Sequence, residues 1–118
     1  MPPGAPHLDD ESLLRAEPQR LGKNEIALYK PRWGAFYGTA LDVHLRRLGV
    51  TTLVFVGCNF PNCPRTSIYE ASERDYRIVL IEDAVSGLYE RRERELRNIG
   101  VHLHSTERTI AFVERAQL

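Results

Sequence analysis

Residues 49–87 read GVTTLVFVGCNFPNCPRTSIYEASERDYRIVLIEDAVSG, and this stretch decides the fold. It holds two apolar runs, Thr52 to Gly57 and Arg77 to Glu82, separated by a loop from Cys58 to Asn62 and a helical run reaching about Arg74. A continuous β-branched run is the pattern of a strand buried on both faces, as in a parallel sheet. Two such strands joined through a helix form a βαβ unit, and a layered α/β fold is expected.

The alternation continues on both sides. Downstream come a turn through Asp83 to Gly87, a helix from Leu88 to Ile99 stopped by Gly100, a short strand from Val101 to His104, and a closing helix from Thr106 to Ala116. Upstream, Leu41, Leu45 and Leu48 share one helical face. Thr39 with Asp42 three residues on resembles a capping box, and Gly49 ends that helix at the C′ position. Ile26 to Tyr29 is a short strand, closed at Lys30 because Pro31 biases the preceding residue away from helix. Residues 1–24, with Pro2, Pro3, Pro6, Pro18 and Gly22, read as an irregular lead-in with a helical turn near Leu13; residues 25–118 form the domain.

The chain has 118 residues, 16 basic and 16 acidic, so one small core is the most it holds and no net charge marks it for nucleic acid. The basic run from Arg91 to Arg97 is interleaved with Glu93 and Glu95. Its pairs Glu90 with Arg94 and Glu93 with Arg97 have i,i+4 spacing, which makes a solvated helix face. No apolar run is long enough to span a membrane and no signal segment opens the chain, so a cytoplasmic protein without membrane or nucleic-acid partners is expected. Cys58 and Cys63 are then free thiols. They form no CxxC pair, and His102 with His104 lack a third ligand, so neither a metal nor another cofactor is expected.

Chemistry gathers at one place. Ligands of parallel sheets bind beyond the carboxyl ends of the strands, where both Lys30 and the loop carrying Cys63 belong. Pro64 suits the first turn of a helix, which makes Cys63 the expected N-cap. A helix N-terminus and a nearby ammonium both favour negative charge on sulfur, the form in which a thiol is a nucleophile. A buried, unreactive thiol stays the alternative on composition alone.

The quoted stretch, with ALYKPRWGAFYGTALDVHLRRLG over residues 27–49, resembles the isochorismatase-like cysteine hydrolases, which include nicotinamidases, N-carbamoylsarcosine amidohydrolases and ureidoacrylate hydrolases. The resemblance is strong from 25 to about 87 and looser beyond. It implies a Rossmann-like three-layer fold, with Lys30 as the family's lysine and Cys63, six residues after Gly57, as its nucleophile. It further implies a cis peptide between Cys58 and Asn59, and an oxyanion hole made by the amides of Asn59 and Cys63. Cys63 would attack a small amide-like carbonyl, with Lys30 stabilising charge. Trp33, Phe36, Phe60 and Asn62 are candidates for lining the pocket, each with plain packing as the alternative. Relatives that cleave the vinyl ether of isochorismate can lack the cysteine, so its presence favours amide chemistry.

The pattern breaks twice. Pro64 stands where the family commonly has a small aliphatic residue, which removes one N–H but leaves the Cys63 amide in place. The family's general base, an aspartate closing a hydrophobic strand and followed by Gln, has no counterpart: Asp9 and Asp10 lie in polar surroundings, and Glu82 and Asp83 read as turn residues. That missing strand would lie beside Thr52–Gly57, and a second one between it and Ile26–Tyr29, so an apolar edge is left open. The expectation is the C-terminal portion of a longer enzyme, begun at an internal Met1, with a homo-oligomer closing the edge.

Three functions stay open: a cysteine hydrolase of small amides, whose activity in this chain the missing aspartate leaves undecided; a non-catalytic subunit or interaction domain with the hydrolase fold; and a thiol-transfer protein using Cys58 and Cys63.

Overall fold

The computed structural model of the chain describes residues 9–116, so the first part of the lead-in lies outside the described residues. Asp9 caps a one-turn helix, α1 (Asp10–Leu14), its carboxylate accepting from the Ser12 amide at 3.2 Å. Strand β1 (Gln19–Gly22) then turns through Lys23 and Asn24 into β2 (Glu25–Ala27), and the two pair antiparallel. This hairpin corrects two expectations. Residues 19–22 are a strand rather than irregular chain, and β2 finds its partner in them rather than in the parallel sheet, ending three residues short of Lys30.

Helix α2 (Leu41–Arg47) is followed by Gly49 at φ +72°, the left-handed conformation expected of a C′ glycine. The expected capping box does not form. Thr39 Oγ1 does accept from the Leu41 amide at 3.2 Å, but it also donates to Ala35 O at 2.7 Å, while Asp42 accepts from the Tyr76 hydroxyl at 2.6 Å. Leu41 and Leu45 pack toward the core and Leu48 stays exposed.

The central sheet contains β3 (Thr52–Gly57), β4 (Arg77–Val85) and β5 (His102–His104), all parallel in the order β3-β4-β5. Helix α3 (Cys63–Ser72) connects β3 to β4, α4 (Glu90–Asn98) connects β4 to β5, and α5 (Thr106–Ala116) follows. Strand β4 runs three residues past its expected end, because Val85 still pairs with Gly57.

Alternation along the strands gives the sheet two faces. Leu53 and Phe55 of β3, Ile78 and Leu80 of β4 and Leu103 of β5 point one way, where the loop residues Phe36 and Phe60, with Ile68 and Ala71 of α3 and Leu96 of α4, close the core. Val54, Val56, Val79, Ile81, His102 and His104 point the other way. There α5 packs on β4, Ile81 is buried, and Val54 and Val56 are left 52% and 60% exposed. Strand β3 is therefore an edge strand covered on one face, not a strand buried on both.

Candidate active site

The thiol and the ammonium meet. Lys30 Nζ donates to Cys63 Sγ at 3.2 Å and to the carbonyls of Arg32 and Trp33 at 3.0 Å each, so all three of its protons have acceptors. The two carbonyls hold the ammonium and leave its third donor aimed at sulfur. Both residues are half-buried, and Lys30, Pro31, Arg32, Trp33 and Cys63 line one depression on the surface.

Cys63 opens α3 as its first helical residue, with Asn62 as N-cap and Pro64 second; the expected N-cap position is off by one. The residues at i+4 and i+7 from Cys63 share its side of the helix, and both of them, with Arg74 just past the helix end, address the segment carrying Lys30. Ser67 Oγ accepts from the Ala35 amide at 3.0 Å, Glu70 Oε1 from the Phe36 amide at 3.2 Å, and the Arg74 guanidinium lies 5.1 Å from the Phe36 ring centre. Gly34 sits so close to the Glu70 carboxylate that any side chain there would collide with it. One helical face thus carries the thiol and the clamps that set the lysine against it. This polar stripe at helical spacing was the sequence signal for Ser67 and Glu70, neither of which the motif reading singled out.

The loop before Cys63 is fixed from the other side. The Cys58–Asn59 peptide bond is cis. Ser86 Oγ donates to Asn59 Oδ1 at 2.6 Å, Phe60 N donates to Ser86 O at 2.7 Å, and Ser86 N donates to Gly57 O at 3.2 Å. Gly87 at φ +76° brings its backbone against Pro61, where a Cβ would stand 3.2 Å from Pro61 Cδ. Among the described residues no backbone carbonyl takes the amides of Asn59 or Cys63. Ser86 was invisible in the sequence, since its role depends on β4 ending beside β3.

Of the pocket candidates, Trp33 is exposed beside the depression and Asn62 is exposed at the helix start. Phe36 and Phe60 are 4% and 1% exposed and belong to the hydrophobic core, the packing expected as their alternative. Cys58 is an exposed free thiol with no cation beside it among the described contacts. Asp83 is structural: its carboxylate accepts from the Thr106 hydroxyl at 2.8 Å and the Thr106 amide at 2.7 Å, which caps α5 and holds its carboxyl below the ordinary aspartate range. No group of three metal-ligating side chains and no helix able to cross a membrane occurs among the described residues.

Residues 6–107 match the Isochorismatase domain. The chain is 38% identical over 64% of its length to the ureidoacrylate amidohydrolase RutB of Methylorubrum extorquens, covering 31% of that protein. Among solved structures, an isochorismatase family protein from Desulfovibrio vulgaris superposes with a TM-score of 0.70 at 33% identity, over 79% of this chain and 51% of that one. The N-carbamoylsarcosine amidase of Thermoplasma acidophilum gives 0.58 at 33% identity, over 64% and 45%. The chain spans about half the length, or less, of these proteins.

Proposed function

Since this chain belongs to the isochorismatase family, we propose that it is a cysteine hydrolase of small amides, with Cys63 as nucleophile and Lys30 as the cation beside it. The observation that carries this reading is the 3.2 Å contact from Lys30 Nζ to Cys63 Sγ at the start of α3. An ammonium fixed by two carbonyls stabilises charge on the sulfur and does not have to reorganise when that charge develops.

The thiolate attacks the carbonyl carbon, forming the C–S bond and moving the carbonyl π electrons onto oxygen. The amides of Asn59 and Cys63 donate to that oxyanion, a contribution of roughly 2.7–4 kcal/mol per donor in such sites. The C–N bond then breaks and the nitrogen leaves as ammonia or an amine, taking up a proton equivalent to the one the thiol gave up; water then adds its hydroxyl to the acyl carbon, the C–S bond breaks, the carboxylic acid leaves and the water's remaining proton returns to sulfur as the thiol. Lys30 donates to sulfur and so is not the base that receives the thiol proton. Among the described residues no carboxylate hydrogen-bonds the sulfur, which makes the turnover of this chain the point its test decides.

The test is ammonia release from small amides such as nicotinamide, N-carbamoylsarcosine and ureidoacrylate, with Cys63→Ala as control. Activity abolished by that substitution, with a thioester adduct on Cys63 detected by mass spectrometry, is the expected result. Hydrolysis that survives Cys63→Ala would refute the assignment. The two free thiols suit a reducing compartment, and the cytoplasm is where we place the protein.

A different observation favours a second reading, a non-catalytic interaction domain of the same fold: Val54 and Val56 stand exposed on an edge strand. Such an edge invites pairing with another chain, a second copy included. Size-exclusion chromatography at low concentration decides it, a well-folded monomer being the contrary result.

A further inference from the structure

Behind the cysteine loop lies a second cleft, of about 340 Å³, lined by Pro61, Arg65, Tyr89, Arg91, Arg92 and Glu95. Arg65 follows Cys63 by two helical residues and so projects about 200° around α3 from it, away from the thiol and the ammonium. The cleft is therefore separate from the depression beside Lys30.

Its charge is uncompensated. Three guanidiniums face one carboxylate, and Glu95 is engaged by Arg91 at 3.4 Å. Arg92 is held in place, with Nη1 donating to Gly87 O and the guanidinium 4.9 Å from the Tyr89 ring centre. A guanidinium has five N–H donors, so most of Arg92's stay available. Arg65 lies 5.7 Å from the Tyr69 ring centre and makes no ion pair among the described residues. Tyr89 is 65% exposed and offers a ring wall at the same place.

We propose that this cleft binds a phosphate group, either free phosphate or the head of an organic phosphomonoester, held by Arg65 and Arg92. Planar guanidiniums match phosphate oxygens in pairs, and a doubly charged anion answers the excess of positive charge. Pro61 walls the cleft and touches Gly87, whose neighbour Ser86 bonds Asn59 and Phe60, so occupancy is reported at the loop.

The test is a titration of the isotope-labelled chain, followed by amide NMR, with sodium phosphate or phenyl phosphate at constant ionic strength and sodium chloride as control. Saturable shifts at Phe60, Ser86, Gly87 and Tyr89 are expected. Arg65→Ala should weaken binding by about tenfold or more, and Glu95→Gln should strengthen it. Tighter binding of phenyl phosphate would assign the ester, and equal or tighter binding of phosphate the free ion. Shifts that do not saturate or that match the chloride control, or wild-type affinity in a folded Arg65→Ala, would overturn the site. The titration runs equally on Cys63→Ala, so its outcome does not depend on the hydrolase reading.

Discussion

Strands β3 and β4 carry apolar residues on both faces of the three-stranded sheet, and the two faces have very different cover. On one face Leu80 is fully buried with Ile68 and Leu96 above it; on the other, α5 packs on β4 while Val54 and Val56 stand open. The site follows the covered face. Helix α3 buries Ile68 and Ala71 there, and the same helix presents Cys63, Ser67 and Glu70 to the Lys30 segment. Packing on one side fixes the chemistry, and the other side is left with apolar surface that invites a further layer.

The largest expected effect breaks the contrast if it fails. Leu80→Ala should cost ~2–5 kcal/mol, the range for truncating a buried leucine, while Val56→Ala on the open side should stay within about 0.5 kcal/mol. Denaturant unfolding of both variants at low protein concentration checks this, and a large cost at Val56 would mean that the open face is covered in solution. Next comes Ser67→Ala, which removes the acceptor of the Ala35 amide and should cost about 1 kcal/mol. It should also slow alkylation of Cys63 by loosening Lys30, while leaving Cys58 unchanged; peptide mapping after a short pulse of iodoacetamide reads both.

The smallest effect lies at the join of α5 to the sheet. Hydrogen bonds from the Thr106 side chain and amide hold the Asp83 carboxyl below its ordinary value. Its folded value is thus lower than its unfolded one, so this stabilisation is complete above the unfolded value of 3.8 and is lost as pH falls through the lower folded value. The Thr106 amide should lose protection over that acid window, and Asp83→Asn should remove the pH dependence. A wild-type response in the variant would show that the cap is not electrostatic.

Much of this was legible in the sequence. The order of strands and helices from Thr52 onward follows from hydrophobic period and glycine stops, and α5 begins where the pattern places it. The family was legible as a resemblance carried by residues 27–87, and the match over residues 6–107 bears it out. What the sequence hid was long-range. Gln19–Gly22 pairs with β2 although its own composition signals only turns, and nothing local says that Val54 lacks cover. Phe36 and Phe60 share a sequence pattern with pocket aromatics, and only the packing over Ile68 and Leu80 makes them core. Ser86 reaches Asn59 across 27 residues of chain, a contact that only the register of β3 with β4 creates.

Lys30 touches Cys63 and, among the described contacts, not Cys58, and that contact should set the two thiols apart in reactivity. The direct measurement is the pair of alkylation rates at neutral pH, followed by mass spectrometry in the wild-type chain and in Lys30→Ala. Faster modification of Cys63 than of the more exposed Cys58 is expected, with a slowing of Cys63 by about tenfold in the variant and Cys58 unaffected. Equal rates at the two cysteines, or a Cys63 rate indifferent to Lys30, would contradict it.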